Sequence, residues 1–144
     1  MHQKNKMEPL SLVREFIAEI WNKKDNSVLE TYIQPAYTIF LDNTDPWEGK
    51  TIDIETFKTR LQYSFSSFPD IHFNIQSAVA DGDAVAITWI MTGTHLGNIG
   101  AFQATHNTIE TFGSTIYHIK DGKIAGHSQV FDRTRVMHQL MKQK

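Results

Sequence analysis

Asp132 stands at the end of the last β-branched run of the chain, Lys123 to Phe131, just before an apolar stretch containing Val136, Met137, Leu140 and Met141. Two roles are open to a carboxylate in that place. Held against a ligand in a dry site, it can take a proton from a carbon beside a carbonyl, because desolvation raises its proton affinity toward a useful range. Turned toward the amides that follow, it is the N-cap of a terminal helix. His95 closes another long strand-like run and could donate to a carbonyl and steady an enolate. Its alternative is to be satisfied by the backbone of the glycine-bearing segment after it. His106, in that segment, is a further candidate. Ser128 and Val130 share the strand face of Asp132, whereas His127 alternates away from it, toward solvent or an interface. Glu110 reads as an exposed charge that a strand could also turn inward. Trp89, Met91, Phe40, Trp47 and Tyr63 could line a pocket. Aromatic and sulfur side chains at such spacings are also ordinary core, and in a hollow fold the two grade into one another.

Other chemistries lack their motifs. There are seven His and no Cys, so thiolate nucleophiles, disulfides and Cys-based metal sites are excluded. No two His stand at helical i, i+3 or i, i+4 spacing, and no H-E-x-x-H or paired-carboxylate motif is present, so no metal is expected. There is no G-x-S-x-G and no P-loop. The glycines between Gly93 and Gly100 precede no helix that could cradle a phosphate.

The chain has 144 residues, 40% of them hydrophobic and 21% charged, with a net charge of −2. That is the size and composition of one soluble globular domain. A charge so small points to neither nucleic acid nor a membrane surface as partner, and no basic run with interleaved aromatics is present. The first residues are polar without an apolar h-region, and no apolar run could span a bilayer. A cytoplasmic protein is the expectation.

The elements that must hold these side chains follow from periodicity. Residues 1–8 read as a loose tail. Pro9 suits a first helical turn, and Val13, Phe16, Ile17, Ile20 and Trp21 form one apolar stripe of a helix reaching about Lys23. Ser27 with Glu30 fits a capping box for a short helix ended by Pro35. Tyr37 to Leu41 reads as a strand, Asp42 to Gly49 as a loop, with Trp47 folded over core or ligand. Ile54, Phe57, Leu61, Phe65 and Phe68 predict a helix stopped by Pro69. Strands are predicted from Ile71, from Ala84 to His95, from Thr108 to Lys120 and from Lys123 to Phe131, with turns at Asp81-Gly82 and Asp121-Gly122. On the second of these, Val85, Ile87, Trp89 and Met91 share one face. Helices followed by a run of strands give an α+β fold, in one domain spanning 1–144.

Several segments together resemble a known family. Phe68-Pro69-Asp70, Asp81-Gly82-Asp83-Ala84-Val85-Ala86 before Trp89, Gly93-Thr94-His95-Leu96-Gly97, Ile116-Tyr117 with Asp121-Gly122-Lys123-Ile124, and Asp132 with Gln139-Leu140 occur in the order found in SnoaL-like polyketide cyclases of the NTF2-like superfamily. The resemblance implies a cone-shaped α+β barrel, with a curved antiparallel sheet and three N-terminal helices on its concave face. It implies a hydrophobic pocket inside, a homodimer, and no metal or organic cofactor. It also implies that Asp132 is the acid/base of an intramolecular aldol closure. The chain departs from the family's pattern at Ser128, where a Trp is frequent, at Gln129, where an acid is frequent, at Ala104 to Asn107, and at Met141.

Two functions are thus expected as alternatives. One is a cofactor-independent cyclase- or isomerase-type enzyme acting on a small apolar carbonyl compound, with Asp132 as acid/base and His95 at the oxyanion. The other is a non-catalytic module holding a lipophilic molecule. A protein-transport module lacks any specific feature. The dimer is expected through the convex sheet face, with Thr88, Thr92, Gln129 and His127 in the interface.

Overall fold

A computed structural model describes residues 7–143. Most of the expected N-terminal tail, residues 1–6, lies outside the described residues; Met7 already packs against the core. Helix α1, Pro9–Phe16, begins with Pro at its first turn and buries Leu12, Val13 and Phe16. The coil then widens into a π-type segment, Ile17–Asn22, which keeps Ile17 and Ile20 in the core. The capping box does not form: Asp25 accepts from the Ser27 amide and opens a 3₁₀ turn, Asn26–Val28, ahead of the one-turn helix α2, Leu29–Tyr32. Strand β1, Ile33–Asp42, is longer than predicted and runs through Pro35. After the loop, a two-residue strand β2, Thr51–Ile52, precedes helix α3, Ile54–Ser67, whose N-cap Asp53 accepts from the Thr56 amide at 2.8 Å.

Strands β3 (His72–Asp81), β4 (Ala84–Thr94), β5 (Thr108–Lys120) and β6 (Lys123–Phe131) and helix α4 (Arg133–Leu140) complete the chain. The six strands form one sheet in the order β2-β1-β6-β5-β4-β3. The fold is α+β, with the N-terminal helices against the sheet's inner face. Two details differ from the expected all-antiparallel barrel. Strand β1 runs parallel to β6, because α3 carries the chain from β2 at one edge to β3 at the other, and β3 runs in the same direction as β2. The sheet also stays open, with β2 and β3 at its edges.

The core lies between α1, α3 and the sheet. Phe16 is at its centre, edge-on to Tyr32, Phe57 and Tyr117 at 5.8–6.4 Å between ring centroids. Val85, Ile87, Trp89 and Met91 of β4 face it, as the alternation predicted. Trp89 lies directly over Gly113, where a Cβ would come within 2.6 Å of its ring and of Phe131; only glycine lets the indole lie there. Among the described residues no helix is long and apolar enough to cross a membrane.

Candidate functional site

A cavity of about 670 Å³ opens between α1, α3 and the inner sheet face. That is a size suited to a small organic ligand. One part of its wall is aromatic: Trp21, Phe73 and Trp89 meet edge to face, with centroids 5.0–5.2 Å apart. Trp47 stacks on Tyr63 at 5.6 Å, where the 42–50 loop meets α3. The other part is polar, and Asp42 is its centre.

Asp42 ends β1 and is only 2% exposed. Its Oδ2 accepts from His127 Nε2 at 2.9 Å and from Arg60 Nη2 at 3.0 Å, and its Oδ1 accepts from Arg133 Nη2 at 3.2 Å. Arg60 also donates through Nε to Asp45 at 2.8 Å. His127 Nδ1 is 2.7 Å from the Tyr37 hydroxyl. A carboxylate only accepts, so His127 carries its proton on Nε2 and its Nδ1 accepts from Tyr37. Burial lowers the proton affinity of His127 below its ordinary value, against the hydrogen bond to Asp42, and nearby Arg60 adds to the lowering. The imidazole is therefore neutral at pH 7. Burial likewise holds the Tyr37 phenol well above its ordinary value, so it stays a donor. Beside this group, Trp89 Nε1 donates to Thr115 Oγ1 at 2.9 Å, and Thr115 donates to Gln129 Oε1 at 2.9 Å.

The sequence-predicted residues divide. Trp89, Met91, Trp47 and Tyr63 line the cavity. Asp132 does not. It is the N-cap of α4, its Oδ1 accepting from the Arg135 amide at 2.9 Å, and it borders a groove shared with outer-face residues such as Phe112 and Val130. The expectation that it faces the interior is corrected. The reason is a bulge at Ala125: His118 of β5 pairs with Gly126, but Ile119 pairs with Ile124. One extra residue reverses the parity of β6. His127, Gln129 and Phe131 therefore turn inward, while Ser128 and Val130 turn outward. Ser128 is thus no cavity residue, and neither His127 nor Gln129 can serve the outer face.

Phe40 is also outside the cavity, half exposed and edge-on to His118; Tyr37 and Ile39 take the inward positions of β1. His95 is fully buried but holds the 95–107 loop instead of lining the cavity. Its Nδ1 accepts from the Thr105 amide at 3.1 Å, and its ring stacks on Phe102. His106 sits in that loop with φ +62° and donates its amide to the His95 carbonyl. Glu110 is exposed on the outer face. Sequence reasoning missed Asp42, Arg60 and Arg133, and placed His127 and Gln129 on the wrong face. Alternation gave no signal for Asp42: counted from Tyr37 and Ile39 it points to Leu41 as the next inward residue, and a register shift between Ile39 and Leu41 turns Leu41 out and Asp42 in. Among the described residues no cluster of His, Asp and Glu could hold a metal ion.

Residues 11–140 match the family model of the SnoaL-like polyketide cyclases. The chain belongs to this family. Its fold is similar to that of a candidate polyketide cyclase from Acidithiobacillus ferrooxidans, with 36% identity over 97% of each chain and a TM-score of 0.86. It is also similar to IdmH, a candidate polyketide cyclase from Streptomyces antibioticus, at 26% identity and a TM-score of 0.78, over 93% of this chain and 99% of that one. A SnoaL-like protein from Jannaschia sp. CCS1 shares the fold at 18% identity and a TM-score of 0.82, over all of both chains. No curated protein matches the sequence. In this SnoaL-like chain, the buried acid that reaches the cavity is supplied by the end of β1, not by the residue before α4.

Proposed function

We propose that this SnoaL-like chain performs cofactor-independent acid/base chemistry on a small apolar carbonyl compound bound in the internal cavity, with Asp42 as the proton acceptor. The observation that carries the reading is a buried carboxylate, braced by His127 and Arg60, in a cavity whose wall is largely aromatic and aliphatic. Arg133 is the movable partner of Asp42: its side chain is 35% exposed and its contact to Oδ1 is the longest of the three shorter than 3.3 Å. A carbonyl oxygen that draws Arg133 toward itself leaves a lone pair of Oδ1 free. Asp42 then takes the proton from the adjacent carbon, the electron pair of that C–H bond forms the new C=C bond, and the carbonyl π pair moves onto the oxygen to give an enolate. Return of the proton at another carbon makes an isomerase. Attack of the enolate carbon on a second carbonyl of the same molecule makes a cyclase, the new alkoxide taking the proton back from Asp42. His127 stays neutral and holds the carboxylate in place.

The test is α-deuteration of an apolar aryl ketone, acetonaphthone, followed by proton NMR in D₂O. The wild type should accelerate exchange, and Asp42→Asn should slow it by about a hundredfold or more, the usual weight of a general base. Asp132→Asn should leave both exchange and stability nearly unchanged, since Asn caps a helix as well as Asp does. The opposite ranking of the two variants would return the role to Asp132. A second reading is a binding module without chemistry. It is favoured by the donors already gathered around Asp42, and it predicts tight ketone binding with no exchange by the wild type.

We also infer a homodimer through the outer sheet face. Phe112, Ile116 and Val130 stand exposed together there, Val130 at 70%, an apolar cluster of the kind that marks an interaction surface. Val130→Lys should convert the dimer to monomer in sedimentation velocity; a wild type that sediments as monomer at high concentration refutes it.

A further inference from the structure

The orientation of the Gln129 amide is fixed from both ends. The Trp89 indole N–H can only donate, so Thr115 Oγ1, 2.9 Å away, accepts from it. The hydroxyl proton of Thr115 then goes to Gln129, whose near atom at 2.9 Å is Oε1. The far end agrees: Nε2 lies 3.4 Å from Asp42 Oδ2, an atom that only accepts. A reversed amide would set its oxygen against the carboxylate. The Asp42 contact is long and occupies one N–H at most, which leaves the other for the cavity that Gln129 lines. Arg133 reaches the second carboxylate oxygen through Nη2 and lies 4.1 Å over the Phe131 ring. It also lines the cavity, with further N–H groups to offer.

We propose that Gln129 Nε2 and the Arg133 guanidinium form a donor pair that binds the ligand's carbonyl or enolate oxygen, and that Thr115 is the positioning residue that aims Gln129. The inference rests on the reading that the cavity takes an apolar carbonyl compound, and it names the atoms that recognise it. Where an acid would present only acceptors, this chain presents an N–H. The site therefore selects for an acceptor oxygen and against a hydroxyl whose oxygen is buried elsewhere. Val at position 115 keeps the branched shape of Thr but removes the hydroxyl that joins Trp89 to Gln129, so beyond the stability cost of the unpaired indole N–H its effect is on the orientation of Gln129.

The experiment compares acetonaphthone with isopropenylnaphthalene, the same skeleton with a methylene in place of the oxygen, by equilibrium dialysis. The wild type should hold the ketone about tenfold more tightly than the alkene, the increment of a good hydrogen bond. Thr115→Val should lose most of that preference while binding the alkene as before, and Thr115→Ser should restore it. Gln129→Leu gives the same loss by removing the donor itself, should Thr115→Val fail to fold. The side-chain amide resonances of Gln129 should shift with the ketone and not with the alkene. Equal affinities in the wild type, or a full preference retained by Thr115→Val, overturn the proposal. Ketone preference without α-deuteration leaves the donor pair standing and removes the catalytic reading. α-Deuteration without ketone preference does the reverse.

Discussion

Arg60→Met should lower the unfolding free energy by about 3–5 kcal/mol, the usual cost of removing one partner from a buried ion pair. The guanidinium is buried in α3 between two carboxylates, 3.0 Å from Asp42 and 2.8 Å from Asp45. Without it, Asp42 keeps a neutral imidazole and the half-exposed Arg133, and Asp45 keeps only the Trp47 amide. Both carboxylates remain out of water with too little positive charge. Urea unfolding should show a lower midpoint with an unchanged slope. Lys58→Met provides the contrast, because its pair with Glu55 is solvent-exposed at 3.6 Å and should be worth under about 1 kcal/mol. Combining Arg60→Met with Asp42→Asn and Asp45→Asn should recover part of the loss, since no buried charge is then left unpaired. A cost under about 1 kcal/mol for Arg60→Met would mean that cavity water already solvates these groups.

The same cluster gives stability a pH dependence of known sign. His127 and His95 are both held below the ordinary histidine value, in each case chiefly by burial. The unfolded chain therefore binds more protons than the folded one below about pH 6.5. Their contribution is complete above that pH and is lost as pH falls toward the folded-state values. His127→Gln should flatten the acid limb of a stability–pH curve, though at a cost at neutral pH.

The elements were legible because apolar periodicity is local. The stripe of α1, the alternation along β4 that turns Trp89 inward, and the Asp-Gly turns each need only neighbouring residues to be read. The site was less legible because it depends on pairings distant in sequence. Asp42 looked like the first residue of a turn, since nothing near it announces that Arg60 and His127 will close around it. The parallel pairing of β1 with β6 brings them together, and that pairing has no local signature. The bulge at Ala125 mattered most. Alternation does hold from Asp132 through Val130 to Ser128. One unpaired residue at Ala125 sets that whole face outward relative to the buried Ile124 and turns His127 inward, and the backbone tendency that produces it is too weak to read from Ala125-Gly126. Phe40 was a different error: its neighbours Tyr37 and Ile39 already defined the inner face of β1.

Phe16→Ala should cost about 3–5 kcal/mol, the range for emptying a buried aromatic position. Phe16 is 1% exposed and its ring meets Tyr32, Phe57 and Tyr117 edge to face, so its removal forfeits packing on three sides. Those partners come from α2, α3 and β5, and no single one can move to fill the gap without leaving the others. Phe16 also lines the cavity, and this separates it from an ordinary core residue. The space left by the ring should join the cavity, and a ligand can then occupy it. Thermal unfolding should therefore show naphthalene raising the melting temperature of Phe16→Ala more than that of the wild type, because a ligand at a hundred times its dissociation constant stabilises by about 2.7 kcal/mol. If the variant is destabilised but naphthalene stabilises both proteins equally, the walls have collapsed and core and cavity are separate. If naphthalene favours the variant, one side chain sets both the stability of the fold and the depth of the space that the Asp42 end must serve. Ligand length in this chain is then limited from the α1 side, opposite the β6 side where the proposed donor pair would read its oxygen.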